Sequence, residues 1–283
     1  MKQYNKHVVV LGSARSGTSW FSELIARQHR YRMLFEPEHE FNTKEGKLIC
    51  DRYLTEAISN KSINEYLKRV FANRVDNDWI AQISNRKWKR HLWPFIPKKF
   101  IIKFVRCNLA ANYFAEVYTI PVIFIVRNPY DVLASQQRVQ FPWLYDISWF
   151  QSQDILCSII QENYGIDIRQ KKEVSNLEKL CLRWCIENTI PFLQKGNPSF
   201  KRYKYEDIKA DMNLFLKICK DYNIKPLQNL QQLYTQPSSK THPKSKIVTG
   251  KDTVKPFSKE EYTTINRYLD IFKIDYYKRV KQV

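Results

Sequence analysis

Val8-Val9-Val10-Leu11-Gly12-Ser13-Ala14-Arg15-Ser16-Gly17-Thr18-Ser19-Trp20 reads as a buried strand feeding a tight loop of small residues that opens a helix at Thr18. Two of the chain's six glycines, Gly12 and Gly17, fall in that loop. Their spacing is that of a phosphate-cradling loop, with Thr18 standing where such loops carry lysine. A loop of this form turns consecutive backbone N–H groups and a helix N-terminus toward an anion. Arg15 inside the loop and the missing lysine suit something other than the β- and γ-phosphates of ATP. The plain alternative for the two glycines is an ordinary tight turn.

Working outward, a second strand-to-helix turn stands at Val122-Ile123-Phe124-Ile125-Val126-Arg127-Asn128-Pro129-Tyr130-Asp131-Val132-Leu133-Ala134-Ser135. Pro129 suits the first position of a helix, and Ser135 falls about two turns into it. Arg127 ends an apolar strand, a costly place for a charge unless an anion or a carboxylate receives it. Asp131 is the carboxylate alternative, and Ser135 has a helix carbonyl as its own. Near-continuous apolar runs at 7–11, 100–105 and 121–126, and a weaker one at 200–205, predict parallel strands covered on both faces. Helical patterns at 18–28, 63–72, 129–137, 177–193, 207–222 and 259–272 alternate with them. The expected fold is α/β: a three-layer, mostly parallel sheet with its ligand loops at the carboxyl ends of the strands. Stretches 42–99 and 139–175 break the alternation and are expected as helical insertions in a single domain spanning 1–283. The polar segment 228–246 reads as a mobile loop before the last helix.

The two motifs together carry a resemblance. Gly-Ser-x-Arg-Ser-Gly-Thr-Ser-Trp at 12–20, with a later strand ending Arg-Asn-Pro-x-Asp-x-x-x-Ser at 127–135, resembles the sulfotransferases that use 3′-phosphoadenosine 5′-phosphosulfate (PAPS) and release adenosine 3′,5′-bisphosphate (PAP). The resemblance covers 1–40 and 100–137 well and 177–275 loosely. It implies that Arg15, Ser16, Gly17, Thr18, Ser19 and Trp20 hold the 5′ end of the nucleotide, Arg15 reaching phosphate and sulfonate oxygens together, and that Arg127 and Ser135 hold the 3′-phosphate. Leu34-Phe35-Glu36-Pro37 resembles the segment of carbohydrate sulfotransferases whose Glu takes the acceptor proton. Glu36 is therefore the leading base and His39 the runner-up, while a structural ion pair is the alternative role for Glu36. The cytosolic steroid and phenol branch uses a His in a Lys-Thr-His segment, and Ile102-Lys103-Phe104-Val105-Arg106 lacks it. Lys103, in an apolar strand, matches the family's sulfonate-contacting lysine, and a buried lysine needs an anionic partner. Arg106 and Asn108 are placed to orient acceptor or nucleotide. Tyr205-Glu206-Asp207 matches a family tripeptide of structural character. Thr249-Gly250-Lys251 offers Lys251 to the nucleotide, in an order that differs from the family's Arg-Lys-Gly loop.

Sulfuryl transfer needs alignment, stabilisation of the leaving oxygen and a base. The transferred group carries less charge than a phosphoryl, so no metal is expected. The acceptor is expected to be a hydroxyl or amine, on a glycan or glycolipid or on a small secondary metabolite. Aromatics Phe141, Trp143, Tyr145 and Trp149 are expected either to line its cleft or to pack the insertion's core.

Composition sets the remaining bounds. The chain has 283 residues, 43% of them hydrophobic, and a formal net charge of +19. Such a charge concentrates anionic ligands. It also raises nucleic-acid binding as a non-enzymatic alternative, with Arg86-Lys87-Trp88-Lys89-Arg90-His91 as its best local feature. No nucleic-acid motif accompanies that run, so no nucleic-acid partner is expected. A small-molecule or nucleotide kinase is the enzymatic alternative, opposed by Thr18. Six cysteines without Cys-x-x-Cys spacing suggest reduced, buried thiols. No apolar run approaches the ~20 residues of a membrane-spanning helix, and the first apolar run is too short for a signal peptide. A cytoplasmic protein is expected, of open oligomeric state.

Overall fold

The structure, a computed structural model, describes residues 4, 6–28, 31–75, 77–82, 99–170, 174–193, 200–225, 229–241, 243 and 257–280. Five strands, β1 (Val8–Leu11), β2 (Tyr31–Phe35), β3 (Lys99–Lys103), β4 (Val122–Val126) and β5 (Lys201–Lys204), form one parallel sheet in the order β2-β3-β1-β4-β5. β1 lies at the centre, pairing Val9 with Ile102 on one side and with Val122 on the other. Its side chains alternate between two cores, as a pleated strand requires. Val9 and Leu11 face a cluster built with α2 (Lys61–Phe71) and α3 (Ala111–Val117). Val8 and Val10 face one built with α1 (Thr18–Ala26) and α9 (Met212–Asp221). Helices on both faces make three layers, the expected α/β architecture. A third cluster joins α4 (Pro129–Val139), α6 (Asp154–Tyr164), α7 (Asn176–Thr189) and α11 (Lys259–Ile271). All six cysteines are buried free thiols.

Several expectations are corrected. The helix over 207–222 is two, α8 (Tyr205–Ala210) and α9, because the Asp211 side chain accepts the Asn213 N–H and restarts the chain. The helix over 177–193 stops at Thr189 and continues as a 3₁₀ turn, Ile190–Phe192, since Pro191 has no N–H to give an α-helix. Segment 228–246 carries a helix, α10 (Leu230–Thr235), and is tied down just beyond it. There Ser238 Oγ and Ser239 Oγ donate to Glu23 Oε1 at 2.7 and 2.9 Å. In 139–170 the described helical structure beyond α4 is a 3₁₀ turn (Pro142–Tyr145), α5 (Ser148–Gln151), α6 and a second 3₁₀ turn (Ile168–Gln170). In 42–82 the described helical structure is α2 and a turn at Gly46–Leu48. The Arg86–His91 run lies outside the described residues.

Candidate active site

The carboxyl ends of β1, β2, β3 and β4 open onto a cavity of about 1100 Å³. Its two ends differ in kind.

One end is built by the loop after β1 and by α4. Gly17 sits at φ +88° as the N-cap of α1, with no side-chain hydrogen bond on the helix's first amides. Gly17, Thr18 and Ser19 border the cavity. A Cβ on Gly17 would meet the Tyr205 ring at 2.2 Å, so glycine is required both for the left-handed turn and for the ring's approach. Arg15, also left-handed at φ +74°, turns inward, and its Nε donates to Ser135 Oγ at 3.0 Å. Arg138, one turn past Ser135 on α4, donates to the same oxygen from Nη2 at 3.4 Å. Arg127 donates to the Arg15 carbonyl at 3.3 Å and lies 5.0 Å from the centre of the Tyr205 ring. Its carboxylate neighbour is the exposed Asp131, at 3.7 Å, and its Nε is buried without a partner. Among the described residues Arg15 has no ion pair. Burial first, then the Arg138 and Arg127 charges, lower its proton affinity. Arg15 and Arg138 thus share the Ser135 hydroxyl, and Arg15 is a buried cation that needs an anion to match it.

The turn carrying Arg127 is fixed from β5's end. Glu206 Oε1 accepts the Asn128 N–H at 2.8 Å, and Glu206 Oε2 accepts the Tyr277 hydroxyl at 2.9 Å. The Tyr-Glu-Asp tripeptide therefore shapes the second motif, and its tyrosine borders the cavity as well.

The other end is built by β2 and β3. Glu36, at φ +44°, leaves β2 with its N–H on the Lys103 carbonyl at 2.9 Å. The buried Lys103 ammonium donates to Glu36 Oε1 and lies 4.3 Å from the centre of the Phe35 ring. Glu38 and Arg106 are nearly enclosed. The Arg106 guanidinium gives Nε and Nη2 to Asp51 and Nη1 to Glu40 at 2.8 Å. Arg183 completes the cluster, donating to Asp51 Oδ1 at 2.9 Å and to the Trp143 and Asp146 carbonyls at 3.1 and 2.7 Å. Burial would raise the Asp51 carboxyl, but Arg183 and Arg106 hold it below its usual range. Trp143 lies within 5.3 Å of both guanidiniums and stacks with Phe141. His39, whose imidazole proton affinity burial lowers against the pull of Glu36, packs on Trp79 at 4.4 Å.

The structure thus brings Arg15, Gly17, Thr18, Ser19, Trp20, Glu36, His39, Lys103, Arg106, Arg127, Ser135, Phe141 and Trp143 to one cavity. Tyr145 and Trp149 do not border it. The turn at 142–145 leaves Tyr145 against the third core, and α5 carries Trp149 to Arg52. The Ser16 side chain is buried beneath the loop, its Oγ without a partner. Arg106 forms part of a wall, each of its three guanidinium nitrogens donating to a carboxylate. The alternative raised for Arg127, a pair with Asp131, is present but long. Lys251 lies outside the described residues. Sequence reasoning missed Arg138, legible as the i+3 neighbour of Ser135 on one helix face, and Glu38, two residues after Glu36. It also missed Trp79, Ser238 and Lys240, for which the sequence offered no signal.

No protein-family model and no curated protein matches the chain. It is similar to the solved sulfotransferase domain from the curacin biosynthetic pathway, at 15% identity over 97% of this chain and 99% of that one, with a TM-score of 0.48. It is also similar to the sulfotransferase domain of the Synechococcus PCC 7002 olefin synthase, at 15% identity over 97% of each chain and a TM-score of 0.45. A third similar structure is a sulfotransferase from Alicyclobacillus acidocaldarius, at 12% identity over 94% of each chain and a TM-score of 0.43.

Proposed function

We propose that the chain is a group-transfer enzyme, taking an anionic nucleotide donor at the arginine end of the cavity and a nucleophilic acceptor at the carboxylate end. More particularly, we propose a PAPS-dependent sulfotransferase, one domain over 1–283 with insertions near 42–99 and 139–175. The observation that carries the reading is Arg15, buried without an ion pair among the described residues, donating to Ser135 and backed by Arg127 on its own carbonyl. The buried Arg15 cation beside Arg127, whose Nε is buried without a partner, fits a ligand bearing more than one anionic group. Arg127, Ser135 and Arg138 would hold the 3′-phosphate. Arg15, Gly17, Thr18, Ser19 and Trp20 would hold the 5′ end. When bound, PAPS supplies an activated sulfuryl group on a phosphate leaving group.

This chain's residues supply the rest. Lys103 fixes Glu36 through Oε1, which leaves Glu36 Oε2 to take the acceptor's proton. His39 stands behind it as the second base. The Lys103 and Arg15 charges offset negative charge that develops between them. Phe141 and Trp143 wall the acceptor side. The acceptor is a small molecule or glycan offering a hydroxyl or amine. Among the described residues no helix is long and apolar enough to cross a membrane, and six buried free thiols support a cytoplasmic setting.

The test is thermal stability with PAP against ATP plus Mg²⁺, since a ligand that binds only the native state raises the melting temperature. PAP is expected to stabilise far more, through contacts to a 3′-phosphate that ATP lacks. Equal shifts overturn the reading.

A further inference from the structure

The loop after β1 is held in shape from outside itself. Arg15 takes a left-handed backbone at φ +74° although it is not glycine, and such a conformation persists only where the surroundings fix it. The carbonyls on either side of that turn are both gripped. Gln136 Nε2, on α4, donates to the Ala14 carbonyl at 3.0 Å, and Arg127 Nη1 donates to the Arg15 carbonyl at 3.3 Å. From α7, Asn188 Nδ2 donates to the Ser13 hydroxyl at 2.8 Å, between two fully buried residues. Gln136 is itself enclosed, at 1% exposure, and its Oε1 is buried with no partner. An unpaired amide oxygen in the interior is unfavourable, so packing alone would favour an apolar side chain at that place. What the amide does supply is the grip on Ala14. A planar trans peptide sets its N–H opposite its C=O. Holding the Ala14 oxygen toward α4 therefore turns the Arg15 N–H away from α4, and that N–H has no partner among the described residues. Amides presented by a left-handed turn are the donors of anion-binding loops.

We propose that Gln136 is a positioning residue for the nucleotide donor: by holding the Ala14 carbonyl it aims the Arg15 N–H at the 5′ end, a role that rests on the loop receiving that end. Gln136 touches neither donor nor acceptor. Its neighbour Ser135 receives the Arg15 side chain at 3.0 Å. Consecutive residues of α4 thus set the side chain and the backbone of one loop residue, and the helix that offers Ser135 and Arg138 to the 3′-phosphate also shapes the 5′ subsite.

The experiment compares the native chain with Gln136→Met, which keeps the side chain's length and removes its donor. Calorimetry is run with PAP, 5′-AMP and 3′-AMP. In the variant, affinity for PAP and 5′-AMP is expected to fall about tenfold, the scale of one lost hydrogen bond. Affinity for 3′-AMP should stay within about twofold, since the groups proposed for its phosphate are untouched. The ligand-free variant should melt within about 3 °C of the native chain, because the unpaired Oε1 leaves with the donor. Unchanged 5′-AMP affinity, or an equal fall for 5′-AMP and 3′-AMP, overturns the proposal. A second measurement needs no variant at position 136. In the native chain labelled with ¹⁵N-arginine, the Arg15 amide resonance, assigned through Arg15→Lys, is expected to move with 5′-AMP and to stay with 3′-AMP. An Arg15 amide indifferent to 5′-AMP overturns the proposal as well. PAP binding to the native chain separates the two readings. Its absence defeats the sulfotransferase reading, whereas normal PAP binding that Gln136→Met leaves intact defeats this inference alone.

Discussion

The two ends of the cavity solve opposite electrostatic problems with the same residue types. Where β1 and β4 end, Arg15 and Arg138 donate to Ser135, Arg127 donates to the Arg15 carbonyl, and the carboxylate in reach of Arg127 is a distant, exposed Asp131. Where β2 and β3 end, the Lys103 and Arg106 cations are met by Glu36, Glu40 and Asp51, with Arg183 joining from α7. Unmatched buried charge is unfavourable until something arrives to match it. Matched charge holds side chains still and asks for nothing. A cluster of one sign therefore marks where a ligand must bring the other, and a balanced cluster marks groups set in place for chemistry or packing. The surplus of +19 over the chain draws anions to the first kind of site without telling it from the second.

That contrast can be broken by mutation, most forcefully at Asp51. Asp51→Asn leaves Arg106 and Arg183 buried around a neutral group, and the expected loss of stability is about 3–5 kcal/mol, read by denaturant unfolding. A loss under about 1 kcal/mol would mean that the cluster is not balanced as described. Glu36→Gln should lower turnover by roughly 10²–10⁴, the range for a lost general base, and leave PAP binding intact. A nearly active Glu36→Gln beside a dead His39→Ala would move the base to His39.

Arg127→Ala should do the reverse of Asp51→Asn. PAP affinity, by calorimetry, is expected to fall by roughly 1.5–3 kcal/mol, the scale of a hydrogen bond to a charged group. The ligand-free protein should melt no lower, because the ion pair lost with Asp131 is long and exposed and the repulsion on Arg15 is relieved. A marked drop in ligand-free stability would show that the arginine end is balanced too. The smallest expected effect belongs to Trp143→Ala, which should change PAP affinity by less than about 0.5 kcal/mol, since the ring shares no partner with the arginine cluster. Loss of PAP binding there would join the two ends into one unit.

How much was legible follows the same division. The loop at 12–17 and the turn at 127–129 could be found because each is a local device, in which glycine spacing or proline placement fixes the backbone within a few residues. β1, β3 and β4 could be found because strands buried on both faces must be apolar throughout. Ser238 and Lys240 could not, since they reach the cavity from a segment that reads as a loop and is docked on α1 through Glu23. The four aromatics of 141–149 were divided by the turn at 142–145 and by α5, whose geometry shows no periodic pattern in so short a stretch. Arg106 looked like a free strand-end cation, and only Asp51, 55 positions earlier, and Glu40 reveal that its charge is spent.

By itself, then, the sequence determined the parallel α/β framework, the two strand-to-helix turns and the identity of the residues on them, because backbone conformation and strand burial are governed by neighbours in the chain. The tertiary structure decided which charges are matched and which are left over, and therefore which of the singled-out side chains are available to a ligand. Charge balance is set by distances of a few ångströms between residues far apart in sequence, and no local pattern encodes it.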